Sequence, residues 1–292
     1  MNIGIVSSHG YLPMARIMIK SLLLATSCNI ELFLFHIDLQ EKDFDYLHLD
    51  KNRMKIHPIL VDSSCFDGIE VKGHYGLFSY FRLLAPYILP KEIKRIMWLD
   101  TDLIIQKDIE CYYNSDFEGN ALIASPSVMN LLGKGLPLEL KKKYNVGESI
   151  YFNAGVLLLD LEYIRKNISL DFILTIAHED KELLKYIDQD VLNILFWDKV
   201  KITSQYLYNF SLKDAFYDSK INSKTIKDAY ILHYCGEKKP TDFTYPDIGF
   251  EEYWNIAKTY NKTSYYKTKS LHLVYDFFRK IKHFFIKRKV YE

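Results

Sequence analysis

The chain has 292 residues, 49% hydrophobic and 26% charged, which is ample for one large cored domain or one domain with an appendage. Its four cysteines (Cys28, Cys65, Cys111 and Cys235) form no C-x-x-C pair, which argues against a zinc site and for a reducing compartment. A net charge of +1 rules out an overall polybasic chain. The amino terminus has no basic, apolar leader, and no run of ~18 apolar residues suggests a membrane span.

In chain order, residues 2–7 read as a first strand. Pro13 to Ala25 reads as a helix, with Met14, Ile17, Met18, Leu22 and Ala25 at helical spacing and proline in the first turn. Segments 30–38 and 54–62 are the second and third strands, and Phe78 to Tyr87 is a helix ending near Pro90. A strand over "RIMWLD" follows, then strands at 121–127 and 154–161. Ile168 to His178 and Asp188 to Phe196 read as helices, and 229–235 as a late strand. Strands alternating with helices predict an α/β fold with a mixed, mostly parallel sheet. No repeat or low-complexity linker interrupts it, and no boundary shows before about residue 246. Glycine-rich dinucleotide, phosphate-loop and G-x-S-x-G signatures are absent, which weakens dehydrogenase, NTPase and α/β-hydrolase readings.

The most informative stretch is "RIMWLDTDLIIQ", Arg95 to Gln106. A buried strand runs straight into Asp100-Thr101-Asp102, and carboxylates are rarely buried without partners. The pair is therefore expected at a strand's carboxyl end, facing a cleft where ligands bind in open α/β sheets. On extended chain, residues two apart point the same way and can share one ion, and oxygen ligands suit Mg2+ or Mn2+. Taken alone, a D-x-D is more often a polar turn. Three further segments put polar groups at the ends of apolar runs. Asn153 and Ala154 precede a strand, Asp188, Gln189 and Asp190 open a helix, and His233 ends a strand before Gly236, Lys238 and Lys239. Asp188 alone reads equally as a helix cap, and His233 alone as a structural histidine.

In this order the D-x-D, N-A-G-V, D-Q-D and H-Y-C-G-x-x-K-P blocks resemble the family 8 retaining glycosyltransferases, over residues 1 to about 245. The resemblance implies a GT-A-type, Rossmann-like nucleotide-sugar domain over 1–245, followed by a helical extension over 246–292. It implies Mn2+ (or Mg2+) held by Asp100, Asp102 and His233, and UDP-glucose or UDP-galactose as donor. It places Ser7, Ser8 and Tyr11 at the nucleotide, with Tyr11 packed on uracil. Thr101 lies within the D-x-D. Asn153, Ala154, Asp188 and Gln189 fall around the donor sugar, the last two as catalytic groups, Arg82 at the donor sugar or phosphate, and Gly236 and Lys239 at the diphosphate. Two departures stand out. Ser8 replaces the acidic residue that usually pairs with uracil, and Thr241 replaces the tryptophan usual after Lys-Pro. The implied acceptor is an oligosaccharide or lipid-linked glycan of lipopolysaccharide, capsule or another surface polymer. The rival readings are a non-catalytic nucleotide-sugar or glycan binder and a D-x-D phosphatase. The phosphatase reading expects Gly/Val-Thr after the acids near the chain start, whereas Leu103-Ile104 follow here.

The last segment carries the charge asymmetry. Lys262 to Glu292 holds nine Lys or Arg against two Asp or Glu, so the rest of the chain carries about −6. Leu271, Val274, Phe277, Phe278, Ile281, Phe284 and Phe285 recur every three or four residues among Arg279, Lys280, Lys282 and Lys287. This pattern predicts a basic amphipathic helix lying on an anionic membrane surface, at the cytoplasmic face of the cell membrane. A helix docked on an acidic body is the first alternative and nucleic-acid binding a third option, with the membrane favoured and nucleic acid not expected as a partner.

Overall fold

The computed structural model describes residues 1–69, 76–130, 132–212, 223–245 and 248–290, with side chains to 278. Seven strands form the main sheet: β1 (Asn2–Val6), β2 (Ile30–His36), β3 (Met54–Leu60), β4 (Arg95–Leu99), β6 (Leu122–Pro126), β7 (Phe152–Asp160) and β8 (Val200–Ile202). Their order is β3-β2-β1-β4-β7-β6-β8. β1, β2, β3 and β4 run parallel, β7 is antiparallel to both β4 and β6, and β8 is parallel to β6. A small second sheet joins β5 (Leu103–Ile105), β10 (Ile231–His233) and β9 (Phe210–Ser211).

Both faces of the main sheet are covered, so its strands read as apolar runs rather than alternating ones. In β4, Ile96 and Trp98 face one buried layer with Phe35, Leu157 and Leu159. Met97 and Leu99 face the other, with Ile3, Ile5 and Leu158. The helix Leu12–Ala25 covers the second face through Ala15, Met18 and Leu22. Helices Phe81–Ile88, Leu170–Glu179 and Asp188–Leu195 cover the first.

The expected mixed, mostly parallel α/β sheet is the one observed, and the helical carboxyl terminus is present. The late strand at 229–235 joins the small sheet rather than extending the main one, because β10 pairs antiparallel with β5. Contacts divide the chain into two compact units, Met1–His233 and Tyr234–Glu292. In the second, the helix Lys262–Val290 follows the helix Phe250–Ala257. No described helix is long and apolar enough to cross a membrane.

Chain order moves outward from β1 to β3 and then returns to β4 on the other side of β1. The crevice beyond the carboxyl ends of β1 and β4 is thus a topological switch point, where open α/β sheets bind ligands. The side chains of Trp98 and Ile96 pack over Gly4, which has none of its own. A Cβ on Gly4 would lie 2.7 Å from Trp98 Cε3 and 3.0 Å from Ile96 Cδ1. Gly4→Ala is therefore expected to cost about 1–3 kcal/mol through overpacking. Urea unfolding should show a lower midpoint with an unchanged slope.

Candidate active site at the carboxyl ends of β1 and β4

Asp100 is the first residue beyond β4, and its N–H donates to the Gly155 carbonyl at 2.8 Å. Thr101 and Asp102 form a tight turn into β5. The two carboxylates thus meet across a turn, not along extended chain as the sequence suggested. β5 then pairs with β10 so that His233 lies opposite Leu103, directly beside Asp102. His233 Nε2 sits 3.2 Å from Asp102 Oδ1 and 3.8 Å from Asp100 Oδ2. One ligand atom from each of the three residues falls within 4.8 Å of the others. Two carboxylates and an imidazole are a fitting donor set for Mn2+ or Mg2+. Gly155 keeps that space open. A Cβ there would come within 2.2 Å of His233 Cε1 and 2.9 Å of Asp100 Oδ2.

Arg82, in the first turn of Phe81–Ile88, is buried under this cluster. Its Nη2 donates to Asp100 Oδ1 at 2.8 Å, its Nη1 to the Ala154 carbonyl, and its Nε to the Ser79 carbonyl at 3.2 Å. Nε also lies 2.8 Å from Asp188 Oδ2. Because the N–H points at Ser79, this last contact is an ion pair without an aligned hydrogen bond, and among the described residues no donor is aimed at the buried Asp188 Oδ2. Burial pushes the Asp188 carboxyl up to about 7 against the opposing pull of Arg82. Burial also works against the Arg82 charge, but Asp100 and Asp188 outweigh it and hold its pKa above the usual value.

Asp188 is not a helix cap. It is the first residue of Asp188–Leu195, behind Ile187, which takes φ = 50°. A positive φ is costly for a β-branched residue and persists only where the surroundings enforce it. Asp190 supplies that enforcement. It accepts from the Tyr151 hydroxyl and, at 2.8 Å, from the Tyr186 N–H. Asn193 then clamps the helix to β7 through both the N–H and the carbonyl of Phe152, each at 2.9 Å. Gln189 Oε1 is thereby brought to the start of β7, where it accepts from Asn153 Nδ2 at 3.0 Å and Ala154 N–H at 3.1 Å.

Beyond β1, Ser7 is buried and its N–H donates to the Phe35 carbonyl at 3.1 Å. Ser8 is half-buried and precedes the short turn His9–Tyr11, with Tyr11 48% exposed. The structure therefore gathers Arg82, Asp100, Thr101, Asp102, Asn153, Ala154, Asp188, Gln189 and His233, while Ser7 and Ser8 follow the neighbouring strand β1. Gly236 and Lys239 belong to the second unit. There Gly236 takes φ = 98° and Lys239 Nζ donates to the Tyr234 carbonyl at 2.7 Å. Sequence reasoning missed the support of Asp190 and Tyr151, and it missed Asn209, whose Oδ1 lies 2.8 Å from His233 Nδ1. A lone Asn in "LYNFS" carries no periodic or motif signal.

Removing the guanidinium should expose how much this balance carries. Arg82→Leu leaves Asp100 and Asp188 without their cation and is expected to destabilise by about 3–5 kcal/mol. Adding Asp188→Leu should recover part of that loss. Denaturant titration of both variants checks the pair.

The family model for glycosyl transferase family 8 matches residues 2–242. The chain is 30% identical over 227 residues to the lipopolysaccharide glucosyltransferase WaaO of Escherichia coli K12, covering 70% of this chain and 62% of that one. It is 25% identical over 267 residues to an Escherichia coli lipopolysaccharide 1,2-glucosyltransferase, covering 84% and 77%. Its fold matches the crystal structure of the galactosyltransferase LgtC in complex with donor and acceptor sugar analogs. The TM-score is 0.75 at 21% identity, covering 89% of this chain and 96% of that one. The chain belongs to glycosyl transferase family 8.

Proposed function

We propose that the protein moves glucose or galactose from UDP to a glycan acceptor with retention of configuration, using Mn2+ or Mg2+ at Asp100, Asp102 and His233. The observation that carries this reading is the convergence of those three side chains at the switch point of the sheet. Family membership and the lipopolysaccharide glucosyltransferases among its relatives support a surface glycan, oligosaccharide or lipid-linked, as acceptor. In this reading residues 1–245 form the catalytic domain. Ser7, Ser8 and Tyr11 take the nucleoside. Thr101 lies within the D-x-D, Gly236 and Lys239 meet the diphosphate, Arg82 serves the sugar or phosphate, and Asn153, Ala154, Asp188 and Gln189 frame the sugar.

The chemistry follows from charge. Breaking the anomeric bond leaves negative charge on UDP, and a bound divalent ion supplies Lewis acidity at the diphosphate. Asp188 supplies a polar, partly charged wall for the cationic sugar. A double displacement needs a free carboxylate on the sugar's far face. Gln189 is a neutral amide whose oxygen already accepts two N–H groups, Asp190 is held by Tyr151 and Tyr186, and Asp188 is ion-paired with Arg82 at 2.8 Å. This favours attack on the same face, with a donor phosphate oxygen taking the acceptor's proton.

The carboxyl-terminal helix supports a peripheral membrane role at residues 246–292. Within the second unit its docked face is mostly polar, with Tyr265, Thr268, His272 and Asp276 buried. His272 stacks on Phe250 and Tyr265 packs against Trp254. Leu271, Val274, Phe277 and Phe278 face outward, the two phenylalanines more than 60% exposed. The predicted apolar stripe is thus not the docked face up to residue 278. The side chains of Arg279, Lys280, Ile281, Lys282, Phe284, Phe285 and Lys287 lie outside the described residues.

The first experiment is UDP release from a panel of UDP-sugars with Mn2+ or chelator. One donor should be hydrolysed slowly in a metal-dependent way, and Asp102→Asn should cut the rate by roughly 100-fold or more, the scale of losing one electrostatic stabiliser. Release indifferent to both chelator and Asp102→Asn overturns the assignment. For the tail, deletion of residues 279–292 should weaken binding to anionic vesicles while leaving UDP release intact. Unchanged sedimentation with vesicles removes the membrane role.

A further inference from the structure

A line of side-chain amides runs from the start of β7 to the imidazole of His233. It begins at the backbone N–H groups of Ala154 and Gly155, which can only donate. Ala154 donates to Gln189 Oε1 at 3.1 Å, and Gly155 donates to Asn153 Oδ1 at 2.9 Å. These two contacts decide which end of each amide is oxygen, a choice otherwise open to rotation. Asn153 Nδ2 then donates to Gln189 Oε1 at 3.0 Å, and Asn153 Oδ1 accepts a second bond from Asn209 Nδ2 at 2.7 Å. Asn209 has only its oxygen left for His233, and that oxygen lies 2.8 Å from Nδ1. An oxygen acceptor there requires a proton on Nδ1. The neutral imidazole then carries its lone pair on Nε2, the nitrogen that faces Asp102 and Asp100.

We infer that Asn209 is a positioning residue that transmits the backbone polarity of β7 to His233 and holds the imidazole in its Nδ1–H form, with the Nε2 lone pair directed at Asp102 and Asp100, where a divalent cation would be held. The inference rests on the proposal that Asp100, Asp102 and His233 hold that ion. The opposite tautomer would aim an Nε2–H at Asp102 and close the site with an internal hydrogen bond, which a cation must first break. Asn209 is well placed to prevent this. It is 2% exposed, and pairing of β9 with β10 sets Phe210 beside Leu232 and Ser211 beside His233. A reversed amide chain would set donor against donor at Ala154 and Gly155. The backbone therefore leaves the polarity only one direction. Metal-bound histidines are commonly oriented in this way by a partner on the second ring nitrogen.

The test has two readouts on the full chain. Nitrogen-15 NMR of the wild-type protein without added metal reports the protonation of each ring nitrogen, with His233→Gln identifying the signals. A protonated Nδ1 is expected, and an unprotonated Nδ1 overturns the inference. Calorimetry then compares Mn2+ binding by wild type, Asn209→Leu and Asn209→Asp. The leucine variant should bind roughly 10–100-fold more weakly, the usual cost of losing such an outer partner. The aspartate variant keeps an oxygen facing Nδ1 and should recover most of the loss. Leucine binding equal to wild type also overturns the inference, and if that variant does not fold, the wild-type spectrum decides. A wild-type protein that binds no Mn2+ refutes the metal site itself, whereas one that binds Mn2+ but leaves Nδ1 bare in the metal-free state refutes only the role of Asn209.

Discussion

The constraint on which the site depends is the gathering of negative charge at a poorly solvated sheet edge. Asp100, Asp102 and Asp188 converge there, and Arg82 is the fixed cation that pairs with two of them. Burial pushes the Asp188 carboxyl up to about 7 against the pull of Arg82, and among the described residues no donor is aimed at Asp188 Oδ2. Arg82 does more than balance charge. By donating to the Ala154 carbonyl as well as to Asp100, it ties the end of β4 to the start of β7, so the charge balance and the backbone geometry are one interaction.

Much of this was legible in the sequence where a strong local contrast marked it. Asp100 and Asp102 stand out because four apolar residues precede them, and the strand they imply is β4, observed at Arg95–Leu99. His233 carries no such contrast, and its role was readable only from the joint order of the blocks. The direction of β7 was not legible. An apolar run such as "AGVLLLDL" reads the same whether it lies parallel or antiparallel, and only its tertiary partners choose. β5 is three residues long, too short for a period to show, yet it carries His233 to Asp102. Asn209 was invisible for a related reason: its importance lies in which atoms it faces, and a single polar residue in a loop shows none of that.

The carboxyl-terminal helix is a case where periodicity found the stripe but not its partner. Hydrophobic spacing ordinarily marks the face that docks on the protein. Here the docked side of the first four turns uses Thr268, His272 and Asp276 between aromatic contacts, and the apolar side is left outward. A fold that buries polar groups while exposing two adjacent phenylalanines gives up hydrophobic burial it had available. That arrangement is consistent with an apolar environment supplied from outside the chain.

The orientation of one strand decides the chemistry of the site. Because β7 runs antiparallel to β4, its amino-terminal end, Asn153-Ala154-Gly155, meets the carboxyl end of β4. A parallel β7 would bring its other end there, and that end is Asp160. In the observed register Asp160 lies opposite Arg95, at the far side of the sheet, where it caps the following helix by accepting from Tyr163 N–H at 2.9 Å. Reversal thus removes a fourth acid from an already acidic edge. It substitutes two backbone N–H donors and a residue without a side chain. The donors orient Gln189 and Asn153, and the missing side chain leaves room beside Asp100 and His233. Selecting the strand's direction therefore selects at once the charge of the site, its free volume and the polarity of the hydrogen bonds behind it.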